Sequence, residues 1–255
     1  MTTSSKSTLI DEIEKRLLPS DYDFVGNQGY VAIVDFMSYI RSQKVDKTTF
    51  KTFGECIDKI FNRLVTTYEN SLMFHLIFDS YIEQSWKSGT RQKRVRGVVH
   101  LANISSETPL PVQMEKFWGS ETNKELMQSY FCENLKVLAM KKKVPLVLSG
   151  TIKDETALPA QYVDVDHELV ENIQDLTLEI EEADLRIIPH IAWNIKRNRN
   201  ISNFIVISRD TDVIVLLLFY FKQFSELGAM RIWIVIGAGE KKTISANPPF
   251  IFHIG

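Results

Sequence analysis

The chain has 255 residues, 44% hydrophobic and 24% charged, which suits one large core-forming domain or a domain with an insertion. A net charge of −2 and a pI near 6.2 exclude global attraction to nucleic acid, so any such binding must rest on a local basic patch. Cys56 and Cys132 have neither disulfide nor metal spacing and read as core thiols in a reducing compartment. The N-terminus MTTSSKSTLIDEIEKR lacks the apolar centre of a secretory signal, and the longest apolar stretch, Val213 to Phe221, is too short to span a bilayer. The expectation is a soluble intracellular protein of cytoplasm or nucleus with no membrane partner.

Residues 1–27 form a polar to amphipathic extension, and 28–255 read as a single domain. YVAIVD (30–35) has the pattern of a buried strand ending in Asp35; a polar stretch follows, then a helical pattern from about Thr49 to Tyr68, with Phe53, Ile57, Ile60, Phe61 and Leu64 on one stripe. SLMFHLIFD (71–79) is a second buried strand, ending in Asp79 and leading into the basic segment YIEQSWKSGTRQKRVR. Residues 97–119, with Pro109 and Pro111, show no regular pattern. Ser120 is placed to cap a helix over 121–142 whose Lys141–Lys143 end suits the helix dipole, and VPLVLSG (144–150) is the next strand. Residues 151–178 carry no clear periodicity; EIEEADLRIIPHIAWNIKRN then reads as a helix with Ala183, Ile187, Ile191 and Ile195 on one side. A strand over 204–209, a helix from about 211 and a closing strand RIWIVIG (231–237) complete the series. Alternation of this kind predicts an α/β fold of three α/β/α layers around a twisted, mainly parallel sheet.

Asp35, Asp79 and the Asp210-Thr-Asp212 pair all fall at strand ends, and Glu181, Glu182 and Asp184 open a helix, so all are expected on one rim of the sheet. Any one such acid is more often a solvated cap. Four to six together, unmatched by Lys or His, need a counter-charge, and an all-oxygen set favours Mg²⁺ or Mn²⁺ over Zn²⁺. Two such ions, about 4 Å apart, activate water and stabilise the leaving oxygen of a phosphodiester.

AIVDFMSYI, LIFDSYIEQSWKSGTRQKR, EIEEADLRIIPHI and FIVISRDTDVIVLLL, in that order, resemble the PIN-like nuclease superfamily. The likeness is to the 5′ flap endonuclease (XPG-type) group and its divergent, often transposon-associated animal relatives, and covers residues 28–240. It implies a DNA or RNA phosphodiesterase with two bound metal ions, and Asp35, Asp79, Glu182, Asp184, Asp210 and Asp212 as ligands or ligand-orienting groups. Helical spacing offers a rival, since Glu181 and Asp184 are neighbours on a regular helix, whereas the family's acid-Ala-acid pattern selects Glu182. In the basic segment Lys87, Arg91, Lys93, Arg94 and Arg96 lie close together, and on a helix Lys87, Arg91 and Arg94 share a face suited to phosphate. The resemblance matches Lys87 and Arg94 to the family's phosphate-contacting pair. Trp86 and Tyr81 are candidates for base stacking or for packing.

The histidines at 75, 100, 167, 190 and 253 form no metal-ligand spacing and are expected as core or surface residues. Gly237-Ala-Gly239 lacks the spacing of a phosphate loop and reads as a tight turn. Asp-Thr-Asp differs from the dehalogenase-type phosphatase signature because Val213 and Ile214 follow it, late in the chain. Two features depart from the nuclease pattern: no Asp follows Asp212 before NPPFIFHIG, and Pro189 inside the acidic helix is expected to bend it and shift Glu182 and Asp184. The alternative to a nuclease is a catalytically silent, mobile-element-derived domain that binds nucleic acid or a protein through the same basic face.

Overall fold

The computed structural model describes residues 29–80, 101–153, 156–180, 182–197, 200–229, 231–236 and 250–254. β1 (Tyr30–Asp35) is buried along its whole length. A short helix, α1 (Phe36–Ser42), starts at the very next residue, where the sequence reads as a polar stretch. Seven residues are too few for a helical period to stand out, and α1 is set instead by its cap, Asp35, whose Oδ1 accepts the Ser38 N–H at 3.0 Å.

α2 (Phe53–Thr67) begins four residues later than the periodicity suggests, because Thr52 caps it by accepting the Glu55 N–H. It buries Phe53, Cys56, Ile57, Ile60, Phe61 and Leu64, the expected stripe with Cys56 added. β2 (Ser71–Ile77) stops two residues before Asp79. The irregular stretch before Ser120 contains a backbone bridge from Thr52 to Pro109 and a one-turn helix, α3 (Met114–Trp118). α4 (Glu121–Lys142) has the expected bounds, with Ser120 capping Asn123 and Lys143 closing it in a left-handed conformation. β3 (Leu146–Ser149) follows.

Residues 151–178 hold more strand than their sequence suggests: an antiparallel pair of β4 (Ile152–Lys153) and β5 (Thr156–Ala157), then β6 (Ala160–Asp164) and β7 (Leu169–Ile173). β7 exposes four of its five residues at the sheet edge, so the apolar alternation that marks a half-buried strand is missing. The β6–β7 turn is made by Asp164, whose Oδ1 accepts the Asp166 and His167 N–H groups, and by Glu168 at φ 56°. α5 (Ala183–Arg197), β8 (Asn203–Ile207), α6 (Asp212–Leu227) and β9 (Arg231–Ile236) come next. RIWIVIG does not close the series: part of the NPPFIFHIG segment forms β10 (Phe250–Ile254), antiparallel to β9.

The main sheet has the order β10-β9-β8-β1-β2-β3-β6-β7. Its centre, β9 through β3, is parallel, and the antiparallel pairs lie at the two margins. Alternate residues of β1 divide the core. Tyr30, Ala32 and Val34 pack with α1 to α4, while Val31 and Ile33 pack with α5 and α6. A sheet covered on both faces is the three-layer α/β/α arrangement, and it explains why its central strands read as unbroken apolar runs. Both cysteines are buried, free, and pushed up to about 12 by desolvation. Among the described residues no helix is long and apolar enough to cross a membrane.

Candidate active site

After β1 the chain moves through β2 to β3 on one side, and later returns to lay β8 and then β9 on the other. The strand order therefore reverses between β1 and β8, and the crevice beyond the carboxyl ends of those strands is where open α/β sheets hold ligands. A cleft of about 550 Å³ opens there, lined by Asp35, Ser38, Arg41, Asp79, Ser80, Glu182, Asp184, Arg209, Asp210 and Thr211. Five of the sequence-predicted acids thus meet from four separate parts of the chain.

Asp35, Asp79, Asp184 and Asp210 each accept a hydrogen bond from nearby structure. Asp35, the last residue of β1, is level with Ile77 of β2; its Oδ1 caps α1, and its Oδ2 accepts the Ser208 hydroxyl at 3.3 Å. Burial, with repulsion from Asp79 and Asp184 added, outweighs these two donors and raises its carboxyl to about 7. Asp79 Oδ1 accepts the Ala183 N–H at 3.1 Å, tying the end of β2 to the first residue of α5. Asp184 is raised chiefly by partial burial and further by Glu182, Asp210 and Asp79, against the lowering effect of the Leu185 N–H. Asp210 Oδ1 accepts the Asp212 N–H at 3.0 Å, and Ser208 Oγ accepts the Asp210 N–H at 3.1 Å, so Asp210 has the helix-entry role open to it and also faces the cleft.

Asp212 is exposed on the first turn of α6 and is not among the cleft-lining residues. Glu182 lines the cleft, whereas Glu181 lies outside the described residues, so the choice between them is one-sided. Lys87, Arg91, Lys93, Arg94 and Arg96, with Tyr81, Trp86 and the Gly237–Gly239 turn, also lie outside the described residues. Pro189 does not interrupt α5, and Glu182 and Asp184 precede it at the cleft. The carbonyl that Pro189 leaves without an amide partner belongs to Leu185, whose side chain is on the exposed face, where water can serve it.

Beneath the acids lies a group that the sequence reading passed over. Arg186 is 2% exposed; its guanidinium donates to Phe78 O at 3.5 Å, to Leu178 O at 3.3 Å and to Ser80 Oγ. Burial lowers it to about 10, and the nearby Asp79 works against that lowering. Gly150 makes room for it: at φ +96°, a Cβ there would lie 2.0 Å from Phe78 O and 2.5 Å from Arg186 Nη1. Gln128 and Ser80 both donate to Gly150 O, which completes the floor below Asp79.

Further along α5, His190 Nδ1 meets His75 Nδ1 at 2.7 Å, and Asn194 Nδ2 lies 2.8 Å from His75 Nε2. Both imidazoles are fully buried and held neutral by desolvation, His75 near 3 and His190 well below its ordinary value. Arg186, His190 and Asn194 recur every four residues beside the apolar stripe Ala183, Ile187, Ile191 and Ile195. That second, polar stripe was visible in the sequence. What it packs against was not, because His75 is 115 residues away.

The cleft fits a hard divalent cation by the chemistry of its donors. They are carboxylate oxygens; burial first, and repulsion among the acids second, raises Asp35 and Asp184, and a bound cation offsets both effects by favouring the ionised form. Among the described residues no three His, Cys, Asp or Glu side chains already surround a single ion-sized point. No family model, curated protein or solved structure matches the chain.

Proposed function

We propose that this chain is a PIN-like, Mg²⁺- or Mn²⁺-dependent nuclease that hydrolyses phosphodiester bonds of DNA or RNA. The observation that carries the reading is the meeting of Asp35, Asp79, Glu182, Asp184 and Asp210 in one cleft at the strand-order reversal. Bound there, a pair of divalent ions supplies Lewis acidity toward a phosphodiester and acidifies a water. Asp35, Asp79, Glu182, Asp184 and Asp210 are the residues that would hold them.

The chain's own part is to present these carboxylates in a fixed arrangement. Ser38 and Ser208 hold one oxygen each of Asp35, Ala183 holds Asp79, and the Asp212 amide holds Asp210. Carboxylates fixed in advance need less reorganisation to stabilise charge in the reaction. Asp212 acts from behind this row, through its backbone amide.

Calorimetric titration of Mn²⁺ into the wild type and into the Asp210→Ala/Asp212→Ala variant, followed by cleavage assays on DNA and RNA strands, tests the proposal. The expected result is Mn²⁺ binding and Mn²⁺-dependent cleavage, both lost in the variant. Wild-type protein that binds no Mn²⁺ and cleaves neither strand overturns it.

A further inference from the structure

The cleft also contains two arginines, Arg41 and Arg209, one from each side of the strand-order reversal. Arg41 lies near the end of α1, after β1, and Arg209 lies between β8 and α6. Both are exposed, and among the described residues neither forms an ion pair with a carboxylate, although five carboxylates line the same cleft. Arginines serving only as counter-ions to that row would be expected to pair with it.

Arg41 is also held in place. Its guanidinium stands over the Trp118 ring, 5.5 Å from the centroid, an arrangement that restrains a long side chain and leaves the edge of its planar fork open to solvent.

We propose that Arg41 and Arg209 form a phosphate-gripping pair that seats a nucleic-acid strand across the acidic cleft. The inference rests on the nuclease reading and adds the residues that overcome its main electrostatic difficulty. A row of carboxylates repels a polyanion, and metal ions neutralise that row only where they bind. Phosphates to either side need cations of their own, and the guanidinium fork matches two phosphate oxygens at once. Ser38 and Thr211, which also line the cleft, place hydroxyl donors beside each arginine's element. The pair contacts backbone and not bases, so it grips DNA and RNA strands alike and is indifferent to sequence.

The test uses fluorescein-labelled DNA and RNA strands of one mixed sequence, with Ca²⁺ replacing Mn²⁺ to prevent cleavage. Anisotropy across a salt series gives affinity and the slope of log K against log salt for wild type, Arg41→Gln, Arg209→Gln, the double variant and the Lys replacements. Each Gln substitution is expected to weaken binding about tenfold and to flatten the slope by about 0.7, additively in the double variant. The Lys variants keep the slope and regain only part of the affinity, since ammonium supplies the charge without the fork. Melting temperatures equal to wild type accompany the expected result.

A double variant that binds with wild-type affinity and slope overturns the pair, as does wild-type protein that binds neither strand. The parent reading fails separately: arginine-dependent binding with no Mn²⁺-dependent cleavage keeps the pair and removes the nuclease. Cleavage that persists unchanged in the double variant does the reverse.

Discussion

At Asp35 the folded protein holds a carboxyl near pKa 7 that in the unfolded chain ionises near 3.8. Between those values the folded state binds a proton that the unfolded state has released, so metal-free stability falls as pH rises through this window. Asp35→Asn removes the effect while keeping an acceptor for the Ser38 N–H. The metal-free variant is expected to exceed wild type by on the order of 4 kcal/mol above pH 7 and to match it below about pH 4, measured by urea unfolding. Added Mn²⁺ should reverse the order at high pH, because only the wild type keeps the carboxylate proposed to hold the ion. A pH-independent difference would show that burial at Asp35 is relieved in solution. Arg186 has the opposite character, a buried cation whose partners are backbone carbonyls, Ser80 and the field of Asp79. Arg186→Met leaves those acceptors in a closed space and is expected to cost about 3 kcal/mol and to weaken Mn²⁺ binding. Unchanged Mn²⁺ affinity in a folded variant would limit Arg186 to a packing role.

The inner face of α5 against β2 sets a second pH response. His75 and His190 are neutral in the fold and ionise near 6.5 when unfolded, so the unfolded chain takes up protons first as pH falls. Wild type is therefore expected to lose stability from pH 6.5 toward pH 3 relative to a His75→Leu/His190→Leu variant, and urea midpoints over that range give the difference. Parallel curves would mean the pair does not titrate with unfolding. Elements of this kind differ in how far the sequence exposes them. β1, β2, α4 and α6 were legible because each carries an unbroken apolar run or a helical stripe with a cap at its start, as with Ser120 before α4. α1 and β7 were not, the first being too short to show a period and the second lying exposed at the sheet edge. Asp35, Asp79 and Asp210 were legible because they follow parallel strands at their carboxyl ends, and Glu182 and Asp184 because they open the helix that runs back from that rim. Arg186, the His75–His190 pair and Ser208 were not, because each acquires its role from a partner more than a hundred residues away along the chain.

Across the whole molecule, burial is graded outward from β1, which has parallel neighbours on both sides and helices over both faces. Amide hydrogen exchange is expected to be slowest at Val31–Val34 and fastest at the exposed margin, β7, with at least a tenfold spread. Equal rates in β1 and β7 would mean that the sheet opens as one unit. The return of the chain from β7 to β8 has a consequence in time. Asp35 and the Ser208 hydroxyl that holds it are 173 residues apart, and β8 is made long after β1, β2 and β3 have left the ribosome. Until then one edge of β1, apolar and unpaired, stands open, the condition under which nascent chains seek a chaperone or one another. The cleft lacks its Asp210 wall for the same interval. Whatever the complete cleft holds cannot be held while most of these residues are still being translated, so synthesis itself delays its completion.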